Sequence, residues 1–253
     1  MKISILGCGW FGTALARSLT GKGVQVKGST TSSDNLNDVR SHLVRLETRE
    51  NSVFDPDFFD CDLLVIANNV RMNDEAAYLA RVRYTITLIR EFHIAKVIFI
   101  SSTSVYGEPN AEVNESTAPQ PETISAILLL QAEQLFQNAP FSCNILRFAG
   151  LFGRGRDPGR FFAGKDNIPN GLAPVNLLHL DDAVGLTMQL IETGLNYQII
   201  NAVAPGHPSR MEFYTQAAKQ SSLEPAIFIA ERVQWKIVNS SYTGYQYKHN
   251  LLS

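Results

Sequence analysis

Short apolar runs alternate with segments of helical spacing through the first half of the chain. Lys2 to Leu6 is β-rich and gives way to glycine. Phe11, Leu15 and Leu19 follow at helical spacing, and Gly21 and Gly23 end that helix. Val24 to Lys27 reads as a second strand, Val44 to Leu46 as a weak third, and Leu63 to Ala67 as a buried fourth, with Asp60 and Asp62 ahead of it. A long helix fits from about Asp74 to Phe92, with Asn73 as its N-cap. Lys96 to Ile100 is a strong fifth strand, Thr123 to Gln137 a helix, and Asn144 to Phe148 a sixth strand. Continuous apolar strands separated by helices predict an α/β protein, with a doubly wound parallel sheet covered on both faces. Its crossovers are expected to be right-handed.

The pattern changes after Gly150. Residues 153–174 are rich in Gly, Pro and Arg and read as a loop. Val175 to Leu180 returns to strand character, Asp181 to Glu192 to helix, and Gln198 to Ala202 to a buried strand. Pro205-Gly206-His207-Pro208 is turn chemistry, leading to a helix near Met211 to Gln220 and then short strands. The division expected is one domain over residues 1–253. Residues 1–150 and roughly 175–204 supply the sheet; residues 151–174 and 205–253 form a small C-terminal lobe over the substrate.

Composition narrows the classes. The 253 residues are enough to bury a sizeable core without a disulfide or metal staple. The balance of 22 basic against 24 acidic residues argues against a general nucleic-acid binder. No stretch approaches the ~20 apolar residues of a membrane span, and glycine breaks the N-terminal apolar run too early for a signal peptide. Cys8, Cys61 and Cys143 show no metal-ligand spacing and read as small buried thiols in a reducing compartment. The expectation is a soluble cytoplasmic protein that binds no metal, membrane or nucleic acid and acts on a small-molecule substrate.

Gly7-Cys8-Gly9-Trp10-Phe11-Gly12 is a G-x-G-x-x-G between a strand and a helix. That context suits a dinucleotide. The first glycine permits the turn, the second lets backbone N–H groups approach a pyrophosphate, and the third lets helix and strand pack closely. The helix N-terminus faces the phosphates with its partial positive charge. An acidic residue about 20 positions on would accept the ribose 2′-hydroxyl of NAD. The chain instead reads Lys27-Gly28-Ser29-Thr30-Thr31-Ser32-Ser33-Asp34, with the carboxylate several residues late. Small hydroxyls could bond a 2′-phosphate, with Lys27 or Arg40 supplying charge. This favours NADP over NAD, although Ser and Thr also serve as plain turn formers.

Four ordered motifs together resemble the extended short-chain dehydrogenase/reductases, the NAD-dependent epimerase/dehydratase family. They are the glycine turn, Ile100-Ser101-Ser102-Thr103-Ser104-Val105-Tyr106-Gly107, Leu146-Arg147-Phe148-Ala149-Gly150-Leu151-Phe152-Gly153, and Val175-Asn176-Leu177-Leu178-His179-Leu180-Asp181-Asp182-Ala183. The resemblance implies a Rossmann fold, with NAD(P) in the crevice at the strand C-termini. It also implies that Ser102 polarises the substrate carbonyl or hydroxyl. The expected cofactor set is Gly7, Gly9, Trp10, Phe11, Gly12, Ser29, Thr30, Thr31, Asn68 and Ser101. The family's Y-x-x-x-K is missing. Counting back from Ala132-Glu133, its positions fall on Ser125 and Leu129, and no Tyr precedes a Lys by four residues anywhere in the chain. A Tyr with a pKa near 10 needs a nearby cation to act as a base at neutral pH. Tyr106 is a conceivable substitute, although its place in V-Y-G suits packing.

The loop after the sixth strand carries Arg154, Arg156, Arg160 and Lys165. It reads either as a solvated surface or as a site for an anionic substrate group, with Arg154 and Arg160 as contacts. His179 suits an acid/base or a structural role, and His207 with Arg210 is a further cleft candidate. The apolar run Ile127-Leu128-Leu129-Leu130 suits either core or a homodimer interface. Two functions stay open: an NAD(P)-dependent oxidoreductase or epimerase-like enzyme with a non-standard acid/base, or a redox-inactive NADP-binding sensor.

Overall fold

The computed structural model describes residues 1–31, 41–47, 49–68, 70, 75–194 and 198–251. The chain forms β1 (Lys2–Leu6), α1 (Trp10–Gly21), β2 (Gln25–Thr30), β3 (Ser41–Leu43), β4 (Leu63–Ile66), α2 (Glu75–Glu91), β5 (Lys96–Ser102), β6 (Ala111–Val113), α3 (Ile124–Gln137), β7 (Ser142–Phe148), β8 (Gly150–Phe152), β9 (Leu177–His179), α4 (Leu180–Thr193), β10 (Ile199–Ala202), α5 (Arg210–Gln220) and β11 (Lys236–Val238). Seven strands make one parallel sheet in the order β10-β7-β5-β4-β1-β2-β3. The order reverses between β1 and β4, and ligands in open α/β sheets bind at such a switch point, beyond the strand C-termini.

The strands are apolar on both faces because both are covered. Ile3, Ile5, Val65, Ile98 and Leu146 pack beneath α1 and α4 with Leu15, Leu19, Leu186 and Leu190. Leu6, Leu64, Ile66, Val97 and Phe99 pack on the other face with Leu88, Ile89 and Phe136. Ser4 is a polar residue in this core, and its hydroxyl donates to the Phe58 carbonyl at 2.5 Å.

The structure corrects the expected third strand. Ladder bonding occupies Ser41–Leu43, whereas Val44 and Leu46 are buried just beyond it and Arg45 bridges to Val53. Apolar alternation reports burial, not pairing, so the two separated here. β2 runs on to Thr30 because Gly28, Ser29 and Thr30 pair with β3. The expected sheet also loses one segment: Leu177–His179 pairs with Gly150–Phe152 in a separate two-stranded ribbon, and only β10 of residues 175–204 joins the central sheet. A second ribbon joins β6 to β11. The proposed cap Asn73 and the first expected helical residue, Asp74, lie outside the described residues. Among those residues, no helix is long and apolar enough to cross a membrane.

Candidate dinucleotide site and the loop beside it

The glycine turn sits at the end of β1. Gly7 has φ +109°, and a Cβ there would lie 2.3 Å from Asn68 Oδ1 and 2.9 Å from the Ala67 backbone, so no other residue fits. A Cβ on Gly12 would lie 2.2 Å from the Gly7 carbonyl oxygen, which is the close helix–strand approach the motif needs. Gly9 differs: a Cβ there would meet nothing within 4 Å. Behind it α1 starts with no side-chain cap. The first-turn amides of this 12-residue helix therefore receive no acceptor from the cap side chain, an arrangement suited to an anion. A cleft of about 1160 Å³ begins here, with Gly9, Trp10, Thr30, Arg154, Asp181 and His249 among its lining residues.

Ser29 is buried, and its hydroxyl accepts the Gly7 amide at 2.7 Å while its carbonyl accepts the Cys8 amide at 3.0 Å. It shapes the turn. Phe11 is core, edge-on to Phe148 with ring centroids 4.9 Å apart, so it offers the site its backbone alone. Thr30 lines the cleft, and Thr31 and Asn68 are exposed at the strand ends. Lys27 does not reach the site. It is buried, and its ammonium donates to the Asp57 and Asp60 carbonyls and pairs with Asp57 Oδ1 at 3.0 Å. Lys27 lies inside β2, and its ammonium is taken up by the Pro56–Phe59 turn and Asp60. Asp34 and Arg40 lie outside the described residues. Among the described residues, Arg45 stands at the end of β2, where its Nε donates to the Thr31 carbonyl at 2.9 Å. It follows β3 rather than β2, so spacing from the motif gave no signal for it.

At the end of β5, Ser102 is half-buried and its hydroxyl accepts the Ser104 amide at 3.1 Å. Ser101 and Tyr106 turn into the core instead. The Ser101 hydroxyl donates to Glu133 Oε1 at 2.5 Å. Glu133 holds Arg147 through three contacts, accepting from Nη2 at 2.6 Å and from Nε at 3.0 and 3.3 Å. Arg147 Nη1 donates to the Tyr106 hydroxyl at 2.8 Å, and Tyr106 donates to Asn201 Oδ1 at 3.0 Å. Tyr106 is 1% exposed, and burial raises its pKa against the opposing pull of Arg147. Its hydroxyl is committed on both sides, a geometry opposed to the substitute acid/base role. Ser125 is exposed on the first turn of α3, and Leu129 is half-buried in the apolar layers, so the places of the Tyr–Lys pair hold a hydroxyl and an alkyl chain.

The basic loop divides. Arg160 is 79% exposed and lies 3.7 Å from Asp157. Lys165 stacks near Phe162. Arg154 and Arg156 instead meet the glycine turn: the Trp10 indole donates to the Arg154 carbonyl at 2.7 Å, and the Arg156 guanidinium lies 4.3 Å above the Trp10 ring. His207 Nδ1 donates to the Val175 carbonyl at 3.0 Å and pins its loop. His179 caps α4, its Nδ1 accepting the Asp181 amide at 3.2 Å. Its ring stacks on His249 at 3.6 Å, and burial with the neighbouring His249 lowers its pKa. His249 Nδ1 in turn donates to buried Asp182, which also accepts the Tyr245 hydroxyl and the Lys248 and His249 amides. One ligand atom each of His179, Asp181 and His249 lies within 4.8 Å of the others. Parallel rings, the occupied Nδ1 atoms and the Arg154–Asp181 pair at 3.1 Å oppose a shared cation.

The family model for the NAD dependent epimerase/dehydratase family matches residues 3–202. Protein YeeZ of Escherichia coli K12 is 41% identical over 239 residues, covering 90% of this chain and 86% of that protein. Among solved structures, UDP-N-acetylglucosamine 4-epimerase from Bacillus cereus aligns with TM-score 0.81 at 17% identity, over 99% of this chain and 95% of its own. UDP-glucuronic acid 4-epimerase from Bacillus cereus in complex with NAD aligns with TM-score 0.77 at 20% identity, over 95% and 88%. At these identities the structural likeness concerns the fold.

Proposed function

The chain belongs to the NAD-dependent epimerase/dehydratase family, and on that premise we propose that it binds a nicotinamide dinucleotide, NADP(H) in preference to NAD(H), as an oxidoreductase or epimerase-like enzyme of a small, anionic or nucleotide-linked substrate. The observation that carries the reading is the uncapped start of α1 behind the open position of Gly9. The preference for a 2′-phosphate is supported by hydroxyls at Thr30 and Thr31 and by Arg45 beside them. Ser102 is the residue assigned to orient the reacting oxygen, and the proton relay is not the family's Tyr–Lys pair.

The test is a titration with NADPH and NADH read by thermal unfolding. At a free ligand concentration of 100 Kd the bound form should gain about 2.7 kcal/mol. Gly9→Leu should fold, since the position is extended and open, yet lose the shift by filling the phosphate approach. Arg45→Ala should weaken NADPH about tenfold, ~1.4 kcal/mol, and leave NADH unchanged. A flat wild-type scan at millimolar concentrations of both cofactors removes the proposal.

The internal commitment of Tyr106 favours a second reading, a redox-inactive NADP-binding sensor. A broad carbonyl panel decides between them. Stereospecific NADPH oxidation that disappears in Ser102→Ala supports the enzyme, and tight binding without any turnover supports the sensor. Exposed Ile124 and Ile127 on α3 support a homodimer in either case; sedimentation as a monomer at micromolar concentration would remove that part.

A further inference from the structure

We propose that Arg154 and Arg156 clamp the dinucleotide's diphosphate from above the glycine turn, so that half of the basic loop serves the cofactor and not the substrate. The inference rests on the dinucleotide reading and adds to it two residues outside the glycine motif. The loop leaves β8 through Gly153, whose φ of +118° and packing against the His179 ring leave no room for a side chain. Gly153 and Arg156 then exchange backbone hydrogen bonds at 3.1 and 2.6 Å, which closes a tight turn. That turn is pinned to the glycine motif by Trp10, through the indole donation to Arg154 and the stacking of Arg156. The Arg156 guanidinium is thus held on the ring of Trp10, the first residue of α1, and Arg154 lines the cleft together with Gly9 and Trp10.

Their present partners are weak ones. Arg154 is 77% exposed and pairs with Asp181 at 3.1 Å, and Arg156 is exposed on the face of an indole. A diphosphate offers several anionic oxygens to which guanidinium forks donate in pairs, and the helix N-terminus favours the same negative charge. Arg154 would exchange one exposed carboxylate for the phosphates. Arg156 would keep its stacking and turn its N–H edge to them. Arg160 and Lys165, on the far part of the loop, take no part.

Dissociation constants of NADPH, ADP-ribose and AMP for the intact protein test the clamp. Arg154→Ala and Arg156→Ala should each weaken NADPH and ADP-ribose about tenfold, the double variant more, and AMP much less. Arg156→Lys, which keeps charge but not the fork, should recover part of the loss. Arg83→Ala, an exposed arginine on α2, should change nothing, and circular dichroism with apo-protein melting should show every variant folded. Asp181→Asn in the Arg154→Ala background should stay weak. Recovery there would mean that Arg154 only screens Asp181, and would overturn the clamp. Wild-type-like NADPH binding in the double variant, an equal loss for AMP, or an equal loss in Arg83→Ala would overturn it while leaving dinucleotide binding intact. No binding by the wild type would remove both.

Discussion

His179 lies with its side chain 13% exposed between Phe152, Gly153 and the His249 ring. Burial and then His249 hold its pKa below the ordinary 6.5, outweighing the opposing pull of Asp181 and Asp182. The unfolded chain therefore binds this proton more readily than the folded one. Stability from this group is complete above 6.5 and falls as acid takes the pH through 6.5 towards the lower folded value. His179→Asn keeps an N-cap acceptor for α4. It should flatten the melting profile between pH of about 7.5 and 5.5; an unchanged slope would place the acid sensitivity elsewhere. The same residue shows what sequence can read of a site. Its motif placed it at a strand–helix junction, but its stacking partner is 70 positions away in an aperiodic tail, where no pattern announces it.

At the scale of elements, the Glu133–Arg147 pair ties α3 to β7, with Ser101 and Tyr106 joining it to β5 and the turn that follows. Both charged side chains are nearly inaccessible, at 1% and 3%. Removing one partner leaves the other charge buried without compensation, so Glu133→Gln should cost about 3–5 kcal/mol in urea unfolding. Glu133→Leu with Arg147→Met should recover much of that loss, because two apolar chains replace two desolvated charges. A cost below about 1 kcal/mol for the single variant would show that water reaches the pair. Strand and helix existence was legible where burial is periodic: β1, α1, β4, β5, α3, β7, α4 and β10 stand within a few residues of their expected places. β6 and β11 were not legible, because each has three residues and its partner lies more than a hundred positions away.

For the whole molecule, the C-terminal segment closes over α4 and depends on Asp182. That carboxylate is inaccessible and receives the Tyr245 hydroxyl, two backbone amides and His249. Asp182→Ala should lower stability by about 2–3 kcal/mol and expose residues 239–251 to protease before the sheet unfolds. Limited proteolysis with mass analysis checks this; uniform loss of the whole chain would mean that the tail and sheet unfold together. The sequence by itself determined the parallel sheet, the glycine turn and the missing Tyr–Lys pair, because backbone geometry at a βα turn and burial on a two-sided sheet are written in local residue order. Only the tertiary structure decided which polar groups face the cleft. It withdrew Lys27, Ser101 and Tyr106 into internal bonds, brought Arg45 to the end of β2, and gave the arginines of one loop different partners, Trp10 for Arg156 and Asp157 for Arg160. The physical reason is that a polar side chain bonds to whatever folding brings within about 3 Å, and for these residues the partners come from distant segments.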